Sequence, residues 1–166
     1  MRVMKSSSRL PVSLATSVAV ALLSFVALSQ GATRMPIVAK GSFTVETKPQ
    51  TEPVAREGVS LGRLSLDKRF EGDLVGTGKG EMLTALTPVK GSAGYVAIER
   101  VTGSLHGRSG SFVFQHSGTM DGGAQQLSIT VVPGSGTGAL VGISGTFRLS
   151  IVDGKHFYEF EYSLPQ

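Results

Sequence analysis

The nine residues before the C-terminal Pro-Gln alternate, with Phe157 the one apolar residue on the polar parity. His156, Tyr158, Phe160, Tyr162 and Leu164 fall on one parity, and Glu159, Glu161 and Ser163 fall on the other. Successive side chains of a β-strand point to opposite faces, so this period of two specifies a sheet with one dry face and one wet face. The same period runs through Leu64, Leu66, Lys68 and Phe70 against Ser65, Asp67, Arg69 and Glu71. Shorter apolar stripes recur at Leu127, Ile129 and Val131, and at Phe147, Leu149 and Ile151. No stretch after Ser29 keeps a helical period.

Further strand-like runs cover Phe43–Thr47, Glu81–Thr87, Tyr95–Leu105, Ser109–Met120, Gln125–Val132 and Thr146–Val152. Glycine-rich breaks lie between the runs: Gly76–Gly80, Lys90-Gly91-Ser92, His106-Gly107-Arg108, Asp121-Gly122-Gly123 and Asp153-Gly154. Asp-Gly between alternating runs is a strong hairpin signal, because a type I′ turn needs positive φ at both central residues. Pro49-Gln50-Thr51-Glu52-Pro53 reads as a linker, since proline can neither continue a helix nor donate within a central strand. About eight short, hairpin-connected strands predict an all-β fold: a small antiparallel eight-stranded β-barrel first, a sandwich second.

The first 29 residues follow a different rule. Arg2, Lys5 and Arg9 precede an apolar run from Val12 to Leu28, and Ala27-Leu28-Ser29 supplies small residues at its end. A charged start, an apolar middle and a small-residue cut site define a secretory signal peptide. Cleavage is expected between Ser29 and Gln30. The expected organisation is a signal-peptide helix over 1–29, a lead-in over 30–38 and one barrel domain over 39–165. Secretion or a periplasmic location follows, with an uncleaved N-terminal membrane anchor as the alternative; Ser13, Thr16, Ser17 and Ser24 dilute the run for a bilayer span.

Charge and composition narrow the function classes. The chain has 166 residues and a formal net charge of +4. Removing 1–29 takes away three cations and no anion, so the remainder is close to neutral. Acids and bases are interspersed, as at Glu71, Asp73, Lys79 and Glu81, with no basic stripe, so a nucleic-acid partner is not expected. With no cysteine, there are no disulfides, no thiolate nucleophile, no Cys-ligated zinc and no lipoprotein anchor.

The motifs that chemistry would need are mostly missing. Gly78-Lys79 has Asp73 where a phosphate-binding loop needs its first glycine and Gly80 where it needs Ser or Thr. Gly134-Ser135-Gly136 precedes no helix and is only a fragment of a nucleophile elbow. His106, His116 and His156 lack metal-ligand spacing, so no metal and no cofactor are expected. His116 shares parity with Phe112 and Phe114, which places it on the apolar face.

Glu99-Arg100 is the informative pair. One strand face carries Tyr95, Ala97, Glu99 and Val101, and the other carries Val96, Ile98, Arg100 and Thr102. Whichever side is inside, a charge enters an apolar stripe and needs a partner. Asp73, Glu81 and Arg108 are the candidate partners, and Tyr95, Glu99, Arg100, His116, Asp73 and Glu81 make up the candidate pocket or polar network.

Several segments together resemble a bacterial family known only as domain of unknown function 3224. They are Phe70–Gly76, Tyr95–Gly103, Gly107–Gly118 and Val131–Gly138, and the resemblance extends over about Ala39 to Leu164. It implies a small antiparallel barrel similar to that of allene oxide cyclase. It brings no activity, cofactor or catalytic residue with it. The leader departs from the many members that look cytosolic, and a tryptophan common in the early strands is absent. Two functions are expected to compete: an exported barrel binding a small apolar or amphipathic ligand, or a cofactor-free isomerase or cyclase using Tyr95, Glu99 and His116. A solid-core interaction module is the third reading, and the oligomeric state is left open.

Overall fold

The alternation closes into a barrel. The structure, a computed structural model, describes residues 36–165; the leader, with its Ser29–Gln30 cleavage site, lies outside the described residues. Nine strands follow in order: β1 (Ile37–Pro49), β2 (Val54–Arg56), β3 (Val59–Gly72), β4 (Leu74–Leu86), β5 (Ala93–Leu105), β6 (Arg108–Asp121), β7 (Ala124–Val131), β8 (Ser144–Val152) and β9 (Lys155–Ser163). Every registered pairing is antiparallel, the order is β1-β9-β8-β7-β6-β5-β4-β3-β2, and β1 also pairs with β3. That last pairing closes an eight-stranded barrel, and the sandwich alternative falls. The short β2 extends the edge of β3 beyond the end of β1.

The hairpin signals hold. Asp153 and Gly154 have φ of 50° and 74°, the two positive angles of the expected turn. Glu57 and Gly58 (φ 48° and 81°) form an equivalent turn between β2 and β3, shortly after the Pro49–Pro53 stretch read from sequence as a linker. One glycine break is corrected. Gly76–Gly80 is no turn but the middle of β4, and Gly76, Gly78 and Gly80 all fall on its inward parity.

The interior divides along the barrel axis. At the end of the β3–β4 and β5–β6 turns it is filled by Leu74, Val101, Leu105, Phe112, Phe114, Phe160 and Tyr162, all at most 1% exposed. Phe112 stacks on Phe160 at 5.6 Å and meets Phe114 edge-on at 4.9 Å. Full burial of each such ring stabilises the fold by about 1.5–3 kcal/mol. The β7–β8 connection adds Leu140 and Ile143 to this core. It docks on β6 through its side-chain hydroxyls: Ser135 Oγ accepts from Val113 N, and Thr137 Oγ1 accepts from Ser111 N. Toward the opposite end the inward stripes continue, but Leu127 is 43% and Ile151 58% exposed. The barrel is solid at one end and a cup at the other.

Candidate functional site

Three polar side chains sit where core and cup meet. Lys68 on β3, Glu99 on β5 and His116 on β6 all have inward parity and are buried. Lys68 and Glu99 lie on strands separated by β4, whose residues at this level are Gly78, opposite Lys68, and Gly80, opposite Glu99. With no side chains in the way, Lys68 Nζ reaches across bare backbone to donate a 2.7 Å hydrogen bond to Glu99 Oε2. A Cβ on Gly78 would overlap Glu99 Oε1, so the glycine is required by the carboxylate rather than by a turn.

His116 Nε2 stands 3.0 Å from the same Oε2. The two atoms are in close contact, but the contact does not have the geometry of a hydrogen bond. Among the described residues, Glu99 Oε1 and His116 Nε2 are therefore buried without a hydrogen-bond partner. Burial pushes the Glu99 carboxyl up, yet His116 and the Lys68 ammonium together outweigh it and hold the pKa below its ordinary value. The ammonium also lies 5.0 Å from the Phe43 ring centre and 5.8 Å from that of Phe70, within cation–π range of both.

Above this floor opens a cavity of about 400 Å³. Lys68 and His116 line its base, and its walls include Val45, Leu66, Met82, Met120, Leu127, Leu149 and Ile151. Tyr95 stands in the wall over Gly118, where a Cβ would overlap its ring. Burial, and to a lesser degree the Glu99 charge, push the Tyr95 hydroxyl's pKa up. The wall opens at one seam: β7 and β8 register only at Thr130–Thr146, whereas β8 and β9 register from Ser144–Ser163 to Val152–Lys155. Leu127 and Ile151 stand on the two sides of that gap.

Tyr95, Glu99 and His116 thus share the inner face, with Glu99 beneath the other two. Arg100 faces outward and is exposed. Neither acid expected to join the network does so. Glu81 has outward parity and accepts from Arg63 at 2.7 Å. Asp73 lies at the solid end, accepting from Lys40 N at 2.8 Å and standing 3.5 Å from His106 Nε2. Arg108 begins β6 at that same end and is exposed. The parity argument identified a buried charge correctly, but register, which pattern alone does not fix, decided its partners.

Lys68 is the functional candidate that spacing had missed. Its signal was visible: a lysine among Leu64, Leu66 and Phe70 on a dry face is the counterpart of Glu99 among Tyr95, Ala97 and Val101. Among the described residues no three His, Asp or Glu side chains gather as a metal site, and no helix is long and apolar enough to cross a membrane.

Residues 39–162 match the family model described as protein of unknown function (DUF3224). The chain is also similar to a crystal structure of a protein of unknown function from the DUF3224 family of Shewanella oneidensis MR-1. The two are 49% identical with a TM-score of 0.76, over 79% of this chain and 98% of that one. No curated protein matches.

Proposed function

The chain belongs to DUF3224, a family of proteins of unknown function, and from its half-filled barrel we propose that it is an exported binder of one small, largely apolar molecule. The observation that carries the reading is the cavity. At about 400 Å³ it lies in the roughly 300–1,000 Å³ range of small-molecule sites, and it combines apolar walls with a few convergent polar groups as such sites do. The β7–β8 gap supplies a side route through which an apolar ligand can enter. Titration with the neutral fluorophore N-phenyl-1-naphthylamine tests this: saturable one-to-one binding is expected, and Ile151→Arg should abolish it. Absence of binding to the folded protein overturns the reading.

Export is part of the same proposal. It rests on the Arg2, Lys5 and Arg9 start, the Val12–Leu28 run and the small residues at Ser29. The intact mass of the protein expressed with its leader should correspond to a chain beginning at Gln30. A full-length product in the membrane fraction would establish the anchored alternative instead.

A second reading has one observation in its favour. Tyr95, Glu99 and His116 lie on a single inner face, as a cofactor-free isomerase or cyclase of allene-oxide-cyclase type would need; the likeness of barrels is analogy only. If the molecule recovered from the cup is chemically unchanged after prolonged incubation, the binder reading stands and the isomerase reading falls.

A further inference from the structure

We propose that the molecule held in the cup is an amphipathic anion, its acidic end seated on Lys68 and His116 and its apolar tail running between Leu127 and Ile151. The inference deepens the binding reading and rests on it.

The lining of the cavity is one-sided. Its basic side chains are Lys68, His116 and His156, and no Asp or Glu contributes to it. The acid of the cluster, Glu99, is 0% exposed and lies beneath the floor. The other carboxylates toward this end, among them Glu46, Glu57, Glu81, Asp121 and Asp153, are exposed and stand outside the lining. A ligand entering the cup therefore meets cationic and neutral donors and no anion.

The donors are available. An ammonium offers three N–H groups, and among the described residues Glu99 is the only hydrogen-bond acceptor Lys68 has. The ammonium lines the base of the cavity, 5.0 Å from the Phe43 ring centre and 5.8 Å from that of Phe70, and His116 lines the same base beside it. An incoming carboxylate can accept from Lys68 while Glu99 keeps its own bond.

Folding alone does not account for the cluster. Replacing a buried ion pair by apolar groups of similar size is often neutral or stabilising, and this pair sits at the edge of an aromatic core that could have extended through it. Its placement at the one point where the core meets the cavity matches what an amphipathic ligand requires: a polar anchor at the base and apolar walls above.

Three probes sharing one tail test the proposal by calorimetric titration: decanoate, decan-1-ol and decyltrimethylammonium. The expected order is anion, then alcohol, then cation, with decanoate about tenfold tighter than the alcohol, as a charge-assisted bond replacing a neutral one would give. The double variant Lys68→Met/Glu99→Gln leaves no orphan charge; it should keep alcohol binding and lose the preference for decanoate. Equal binding of decanoate and decan-1-ol, or preference for the cation, overturns the anion proposal while the cup stands. A preference for decanoate that survives in the double variant overturns the Lys68 assignment. Binding of none of the three overturns the anion proposal, and the binding reading then stands or falls with the naphthylamine titration. The ranking by the unmodified protein decides the matter even if the variant does not fold.

Discussion

The two ends of this barrel are built from the same strands with the same alternation, yet one is a core and the other a container. Toward the solid end of β6, inward positions carry Phe112 and Phe114, and β9 answers them with Phe160 and Tyr162; all are at most 1% exposed. Toward the mouth the same strands carry Gly118 and Met120 on β6 and His156 on β9, and the facing β7 and β8 carry Leu127 and Ile151. Inward direction is therefore not burial. What separates the halves is the presence or absence of large rings reaching the axis, together with the β7–β8 connection, which adds Leu140 and Ile143 at the solid end. An eight-stranded barrel is wide enough either to be filled by side chains or to hold one small ligand; this one does each over half its length.

The largest effects are expected where the halves are tightest. Phe112→Ala, which removes a fully buried ring packed on Phe114 and Phe160, should destabilise by about 3–5 kcal/mol, read as a shift in the urea midpoint at unchanged slope. A loss below about 1 kcal/mol would mean that the solid half is less well packed than its ring contacts indicate. Lys68→Met alone should be as severe, about 3–5 kcal/mol, because it strands the Glu99 carboxylate in the interior. The double variant Lys68→Met/Glu99→Gln should recover most of that loss, and failure to recover would show that the cluster's shape matters more than its charge. Gly78→Ala should destabilise by about 1–3 kcal/mol through overpacking, since its methyl group would press on Glu99 and approach the Phe70 ring at 3.1 Å.

How much of this was legible in the sequence differs between the same two halves. The β9 stripe from His156 to Leu164, the Asp-Gly turn at Asp153 and the apolar parity of His116 all come from local rules, and local rules sufficed for fold class. Gly76–Gly80 misled because glycine in a run more often marks a break than a strand. The reason Gly78 is required, a lysine passing over it to a glutamate on the next strand but one, is a relation among three strands that no local pattern contains. Glu81 failed as a partner because it stands on the outward parity of β4. Asp73 failed because height along the barrel depends on register. The cup was invisible for the same cause. Leu127 and Ile151 read as core because their stripes are apolar, and only the gap between β7 and β8 leaves them exposed.

A milder perturbation separates charge from packing. The Glu99 pKa is lowered in the folded protein relative to its ordinary value of 4.5, so the unfolded chain binds the proton more readily. Glu99's contribution to stability is then complete above about pH 4.5 and is lost as pH falls through the lower, folded value. Urea midpoints measured on the way down from pH 6 should drop in that acid window. Glu99→Gln should start from a lower midpoint and drop less. If both proteins have the same pH profile, the acid sensitivity belongs to surface carboxylates such as Glu159, whose pKa is lowered by Lys40.

The smallest expected effect on stability most directly tests the contrast between the halves. Ile151 is on the inward parity of β8, two alternations beyond Phe147, but it is 58% exposed where Phe147 is 3% exposed. Removing its side chain deletes little buried area, so Ile151→Ala should change stability by no more than about 0.5 kcal/mol, whereas Phe147→Ala should fall among the severe core losses. Binding should show the opposite dependence. Ile151→Ala removes a wall of the cup and should weaken the neutral apolar probe at least severalfold. If Ile151→Ala proves as destabilising as a core substitution, the β7–β8 gap is closed in solution and the cup is a second core. If it changes neither stability nor binding, the ligand occupies only the base of the cavity near Lys68 and His116.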